Sequence, residues 1–133
     1  MPAYDANLFA LPAPVAMVTL RNQATGNTIS GVPMLLDTGA DVTLIPQSSA
    51  IQLGLAIDSR ESYELVGFDG SLSTAPVVQL DLFLLGRLFK GRFVVVNQSY
   101  GIIGRNVINN LTLVFDGPRL NWSDQRSPGL GSG

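Results

Sequence analysis

The chain has 133 residues, 46% hydrophobic and 14% charged, which suits one compact domain with a sizeable core and leaves little material for a second. It contains neither cysteine nor histidine, which excludes a disulfide framework, a thiolate nucleophile, an imidazole base and an ordinary zinc site. No metal and no cofactor is expected, and the net charge of -2 without any Lys/Arg run argues against a nucleic-acid partner.

The opening stretch "MPAYDANLFALPAPVAMV" lacks the basic start of a secretory signal, and no apolar run approaches the roughly 18 residues of a membrane span, so a cytoplasmic protein with no membrane partner is expected. With Pro12 and Pro14, residues 1–14 read as an extended arm ahead of a domain over 15–122. "VAMVTL" and "TISGVPMLLD" read as strands, and the polar "RNQATGN" between them as a hairpin turn. "VTLIP" is a further strand, and "PQSSAIQLGL", with Pro46 near its start, a short helix. In "ELVGFDGSLSTAPVV", Gly67 and Gly70 bracket Phe68 and Asp69 at the tip of a hairpin. "PVVQLDLFLLG" and "RLFKGRFVVV" continue the strand pattern, with Arg87, Lys90 and Arg92 as a solvated edge. "RNVINN" is a second short helix, and "LTLVFDGPRLNW" a closing hairpin whose Leu113, Phe115 and Trp122 form an apolar face. Residues 123–133 have the composition of a flexible tail or linker. The class is mostly β with one or two short helices.

One carboxylate stands out. "MLLDTGADVTLIP" carries Asp37 directly after Leu35 and Leu36, and an ionised carboxylate in apolar surroundings is costly unless hydrogen bonds or a partner compensate. The plain alternative is a turn, since Asp-Thr-Gly is ordinary turn composition. Some 65 residues later, "YGIIGRNVINNLTLVF" supplies an apolar pair, a glycine and a helix start. Together "LLDTGAD" and "IIGRN" resemble the retropepsin-like (retroviral-type) aspartic proteases, whose relatives include single-domain bacterial members and DNA-damage-inducible-type domains. The resemblance covers Val15 to Trp122 and implies an acid-protease fold, a closed β-barrel domain acting as a homodimer.

It also implies roles. Asp37, Thr38 and Gly39 fall on the catalytic loop, with Gly39 offering its N–H to the carboxylate and Thr38 bonding across the dimer axis. Ala40, Asp41, Ile102 and the hairpin tip of Gly67, Phe68, Asp69 and Gly70, in the place of the family's flap, would bind substrate. The tip departs from the glycine-rich apolar flap of retroviral members, and a plain hairpin is the alternative. Arg105 would pair with Asp41 and so support the loop, the alternative being two surface charges; Asn106 would bond the same loops or simply start the helix.

Peptide hydrolysis without histidine, thiol or metal can be run by two carboxylates about 3 Å apart sharing one proton. The sequence holds one Asp-Thr-Gly, and Asp69-Gly70 and Asp116-Gly117 lack the pattern, so two copies of Asp37 would have to meet on a two-fold axis. The expected function is an aspartic endopeptidase acting on peptide or protein substrates. The alternative is a non-catalytic module that keeps the fold for dimerisation or peptide binding.

Overall fold

The computed structural model describes residues 2–55, 58–66 and 69–125, with residues 58–61 described by their backbone. Strand β1 (Tyr4–Asp5) is short, and β2 (Ala13–Arg21) and β3 (Thr28–Leu36) form an antiparallel hairpin. Along β2 the side chains of Ala16, Val18 and Leu20 turn inward while Met17 is exposed, the period-2 signature of a half-buried strand. The turn between them is held by Asn22, which is buried and donates its side-chain amide to the Leu53 carbonyl at 2.8 Å.

Strand β4 (Leu44–Pro46) leads into helix α1 (Gln47–Gln52). The helix stops short of the expected Leu55 because Gly54 takes a φ of +66° and its N–H folds back onto the Ile51 carbonyl, a glycine-terminated helix end. Then come β5 (Asp58–Val66), β6 (Leu72–Leu84) and β7 (Arg87–Val96). The β6–β7 hairpin turns on Leu85 and Gly86, both at positive φ, the turn geometry whose twist matches the flanking strands. Strand β8 (Gly101–Ile103), helix α2 (Arg105–Ile108) and the hairpin of β9 (Leu113–Asp116) and β10 (Asn121–Asp124) are the last elements among the described residues.

Among the described residues, eight strands form one sheet in the order β1-β2-β3-β8-β4-β7-β6-β5, and a further pairing of β2 with β6 joins Thr19 to Phe83 and Arg21 to Asp81. The pairings therefore run in a circuit from β2 through β3, β8, β4, β7 and β6 back to β2. Inside it lie Leu20, Met34, Ile45, Leu80, Leu82 and Ile103, all fully buried. Each such side chain contributes about 2 kcal/mol of burial, which makes the strand faces, rather than the short helices, the main source of stability. Trp122 of β10 packs into the same core.

The N-terminal arm is extended and paired. Tyr4 and Asp5 align with Pro14 and Ala13, Ala3 bridges Asn121, and the Trp122 N–H donates to the Pro2 carbonyl at 2.9 Å. This arm ties β10 to the main sheet. β3 and β8 run parallel at the centre, with Leu36 level with Ile103, and their common end is where the Asp37 loop begins.

Candidate active site

Alternation along β3 sends Met34 and Leu36 into the core, which places Leu35 and Asp37 on the opposite side. The ladder to β8 runs one step beyond the strand, because the Asp37 N–H donates to the Ile103 carbonyl at 3.0 Å. The chain then turns sharply: the Ala40 N–H donates to the Asp37 carbonyl at 3.2 Å and the Gly39 N–H to Asp37 Oδ1 at 2.8 Å. A Cβ at position 39 would lie 3.1 Å from that same oxygen, so glycine is what lets the backbone approach the carboxylate so closely. Asp37 is half-buried while Thr38 and Gly39 are exposed.

The loop is held from beneath by the segment around α2. Arg105 donates its backbone N–H to the Ala40 carbonyl at 2.8 Å and its Nη1 to the Thr38 carbonyl at 2.7 Å. Thr43 is 1% exposed; its Oγ1 donates to Asn106 Oδ1 at 2.7 Å and accepts from the Gly104 N–H at 3.1 Å. Asn106 therefore bonds the loop from the second position of α2, while Gly104 takes the place before the helix. A side chain at Gly104 would fall on the Val42 backbone, with its Cβ 2.6 Å from the Val42 carbonyl carbon. Gly101 is similarly confined, since a Cβ there would lie 2.5 Å from the Leu44 carbonyl oxygen.

The expected ion pair between Asp41 and Arg105 does not form. The Arg105 guanidinium goes to the Thr38 carbonyl instead, and Asp41 Oδ2 accepts from the Tyr63 hydroxyl of β5 at 3.4 Å. Both Asp41 and Arg105 are exposed, where an ion pair gains little, so a nearby loop carbonyl competes successfully for the guanidinium. Ile102 sits level with Leu35 across the parallel ladder and opposite Leu44 on its other side, all three half-buried. They make an apolar strip that shares a face with Asp37.

The hairpin over this region is formed by β5 and β6, whose last pair is Val66 with Leu72. Gly67 and Phe68 lie outside the described residues. Asp69 and Gly70 are exposed at the tip, where Gly70 has a φ of +81° and the Ser71 N–H donates to Asp69 Oδ1 at 2.9 Å. Hydrogen bonds from the Ser71 hydroxyl and amide hold the Asp69 carboxyl below the usual carboxylate range. Val66 and Leu72, beside the tip, are exposed apolar side chains.

The structure thus gathers Asp37, Thr38, Gly39, Ala40, Asp41, Arg105 and Asn106 into one hydrogen-bonded unit flanked by Ile102, with Asp69 and Gly70 at the far end of the hairpin. Three further residues belong to the unit. Thr43 and Gly104 leave a trace in the sequence, as a polar residue inside the strand-like "VTLIP" and as the glycine after "II"; Tyr63 leaves none.

A family model described as aspartyl protease matches residues 17–107. Among solved structures, the chain is similar to EIAV protease complexed with the inhibitor HBY-793, with 20% sequence identity, a TM-score of 0.55, and coverage of 74% of this chain and 86% of that one. At that identity the likeness speaks for the fold. No curated protein matches the chain. The matched segment spans the Asp37 loop, the hairpin and the start of α2, and on that ground the chain belongs to the aspartyl protease family, with a retropepsin-like fold.

Proposed function

We propose that the protein is an aspartic endopeptidase in which two Asp37 carboxylates, one from each chain of a homodimer, share a proton and hydrolyse peptide bonds. The observation that carries this reading is the setting of Asp37: a half-buried carboxylate at the end of β3, hydrogen-bonded by the Gly39 N–H, in a loop braced by Arg105 and within the segment matched by the aspartyl protease family model. In the paired site one carboxylate takes a proton from water while the other gives its proton to the carbonyl oxygen under attack. Leu35 and Ile102 would line the wall against which a substrate side chain next to the scissile bond packs. Thr38, exposed on the loop, would bond its counterpart across the axis. The partly exposed Val114, Phe115 and Leu120 of the C-terminal hairpin offer apolar surface for the second copy to cover.

A peptide mixture digested with wild type and with Asp37→Asn tests this. Wild type is expected to yield defined products and the variant none, because an amide cannot share the proton. Equal products from both proteins would overturn the assignment. Binding of the same peptides by wild type without cleavage would favour the non-catalytic module instead.

A further inference from the structure

Strand β5 is the outer strand of the main sheet, and among the described residues β6 is the one element on which it packs extensively. Val42, Thr43 and Asn106, which follow or support the Asp37 loop, and Tyr63 and Val77 of the hairpin line a common cavity of about 470 Å³. Open space therefore adjoins the hairpin where it faces Val42 and Thr43. Beside that cavity the Tyr63 hydroxyl reaches Asp41 Oδ2 at 3.4 Å. The two ends of this contact differ in support. Asp41 belongs to a loop fastened through Arg105, Thr43 and Gly104, whereas Tyr63 belongs to the thinly supported arm. A tie between a firmly fastened point and a thinly supported one acts on the thinly supported one. The distance is long for an O–H···O bond, which suits a contact that opens and recloses rather than a permanent strut.

We propose that Tyr63 is a positioning residue that, through Asp41, sets how closely the β5–β6 hairpin lies over the Asp37 loop and so how firmly a peptide is retained beneath it. The inference rests on the reading of Asp37 as the catalytic carboxylate. It gives Asp41 a use that the expected pairing with Arg105 would have denied it.

Tyr63→Phe removes the hydroxyl and keeps the ring. It is expected to raise KM about fivefold while kcat falls less than about twofold, the pattern of a lost binding contribution rather than a lost chemical one. Hydrogen exchange on the intact protein supplies a readout that needs no activity: amides of Tyr63 and Leu65 should exchange faster in Tyr63→Phe, with those of Leu20 and Leu82 in the core unchanged. Asp41→Ala should reproduce that exchange pattern, Asp41→Asn, which keeps an acceptor oxygen, should largely restore protection, and the double variant with Tyr63→Phe should be no worse than either single change. Unchanged exchange in Tyr63→Phe, or additive effects in the double variant, would overturn the tie. Asp37→Asn measured alongside separates the two readings. If it is inactive while exchange in Tyr63→Phe is unchanged, only the tie fails; if it is active, the catalytic reading fails and the exchange data still decide the tie.

Discussion

Gly104 shows what a single atom costs next to the loop. Its φ is -94°, which any residue can adopt, so the constraint is space alone: a Cβ would meet the backbone of Val42 and, at 3.0 Å, the Ala40 carbonyl oxygen. Those atoms belong to the loop that presents Asp37, and moving them shifts the carboxylate. Gly104→Ala is expected to lower stability by about 2 kcal/mol, as overpacking does, and to reduce peptidase activity further than the loss of folded protein explains. Gly91 is the contrast, since a Cβ there meets nothing within 4 Å, and Gly91→Ala should leave the melting temperature nearly unchanged. Equal effects at the two positions in thermal melts would show that the packing around Gly104 is not what matters.

Between elements, the seam of β2 and β6 carries a dense polar arrangement. Asp81 is 1% exposed; Arg21 donates to its Oδ2 through Nε at 2.9 Å and Nη2 at 2.6 Å, and Gln23 donates to Oδ1 at 2.8 Å. The Arg21 guanidinium also lies over the Phe83 ring, 5.0 Å from its centre. Burial alone would push the Asp81 carboxyl up, but the hydrogen bonds from Gln23 and Arg21, together with the charges of Arg21 and Lys90, more than offset it and hold the carboxyl below its ordinary value. Arg21→Ala would leave a buried carboxylate with one donor. It should cost about 2 kcal/mol at neutral pH, less than for a fully buried pair because the Arg21 side chain is 37% exposed. A carboxyl with a depressed folded pKa stabilises the fold above its unfolded value of about 3.9, and this contribution is lost as pH falls through the folded value. The melting-temperature gap between wild type and Asp81→Asn should therefore be full at pH 7 and shrink as pH is lowered from about 5 to about 2. A gap that stays constant over that range would mean that Asp81 is not ionised in its pair.

For the whole molecule, the decisive property is that one chain carries one Asp-Thr-Gly loop. If each chain is half an enzyme, wild type mixed with an equal amount of Asp37→Asn under free subunit exchange should retain about one quarter of the activity of wild type at the same total concentration. Mixed dimers hold one carboxylate and one amide and contribute nothing. A fall to about half, once exchange is verified, would mean that each chain holds a complete site.

Local features were set by the sequence because they depend on neighbours along the chain. The alternation of "VAMVTL" and "PVVQLDLFLLG" determined which side chains enter the core, and the composition of Asp37-Thr38-Gly39 determined a tight loop in which an amide meets its own carboxylate. Helix α1 came out shorter than its pattern suggested because Gly54 ended it. The closing pairing of β2 with β6, the choice of Thr38 rather than Asp41 for Arg105, and the meeting of Asp41 with Tyr63 were decided only by the tertiary structure. Alternation says which face of a strand is buried but not which strand lies beside it. A hydrogen bond between residues 67 positions apart, as from Arg105 to Thr38, depends on a register that exists only once the sheet has assembled.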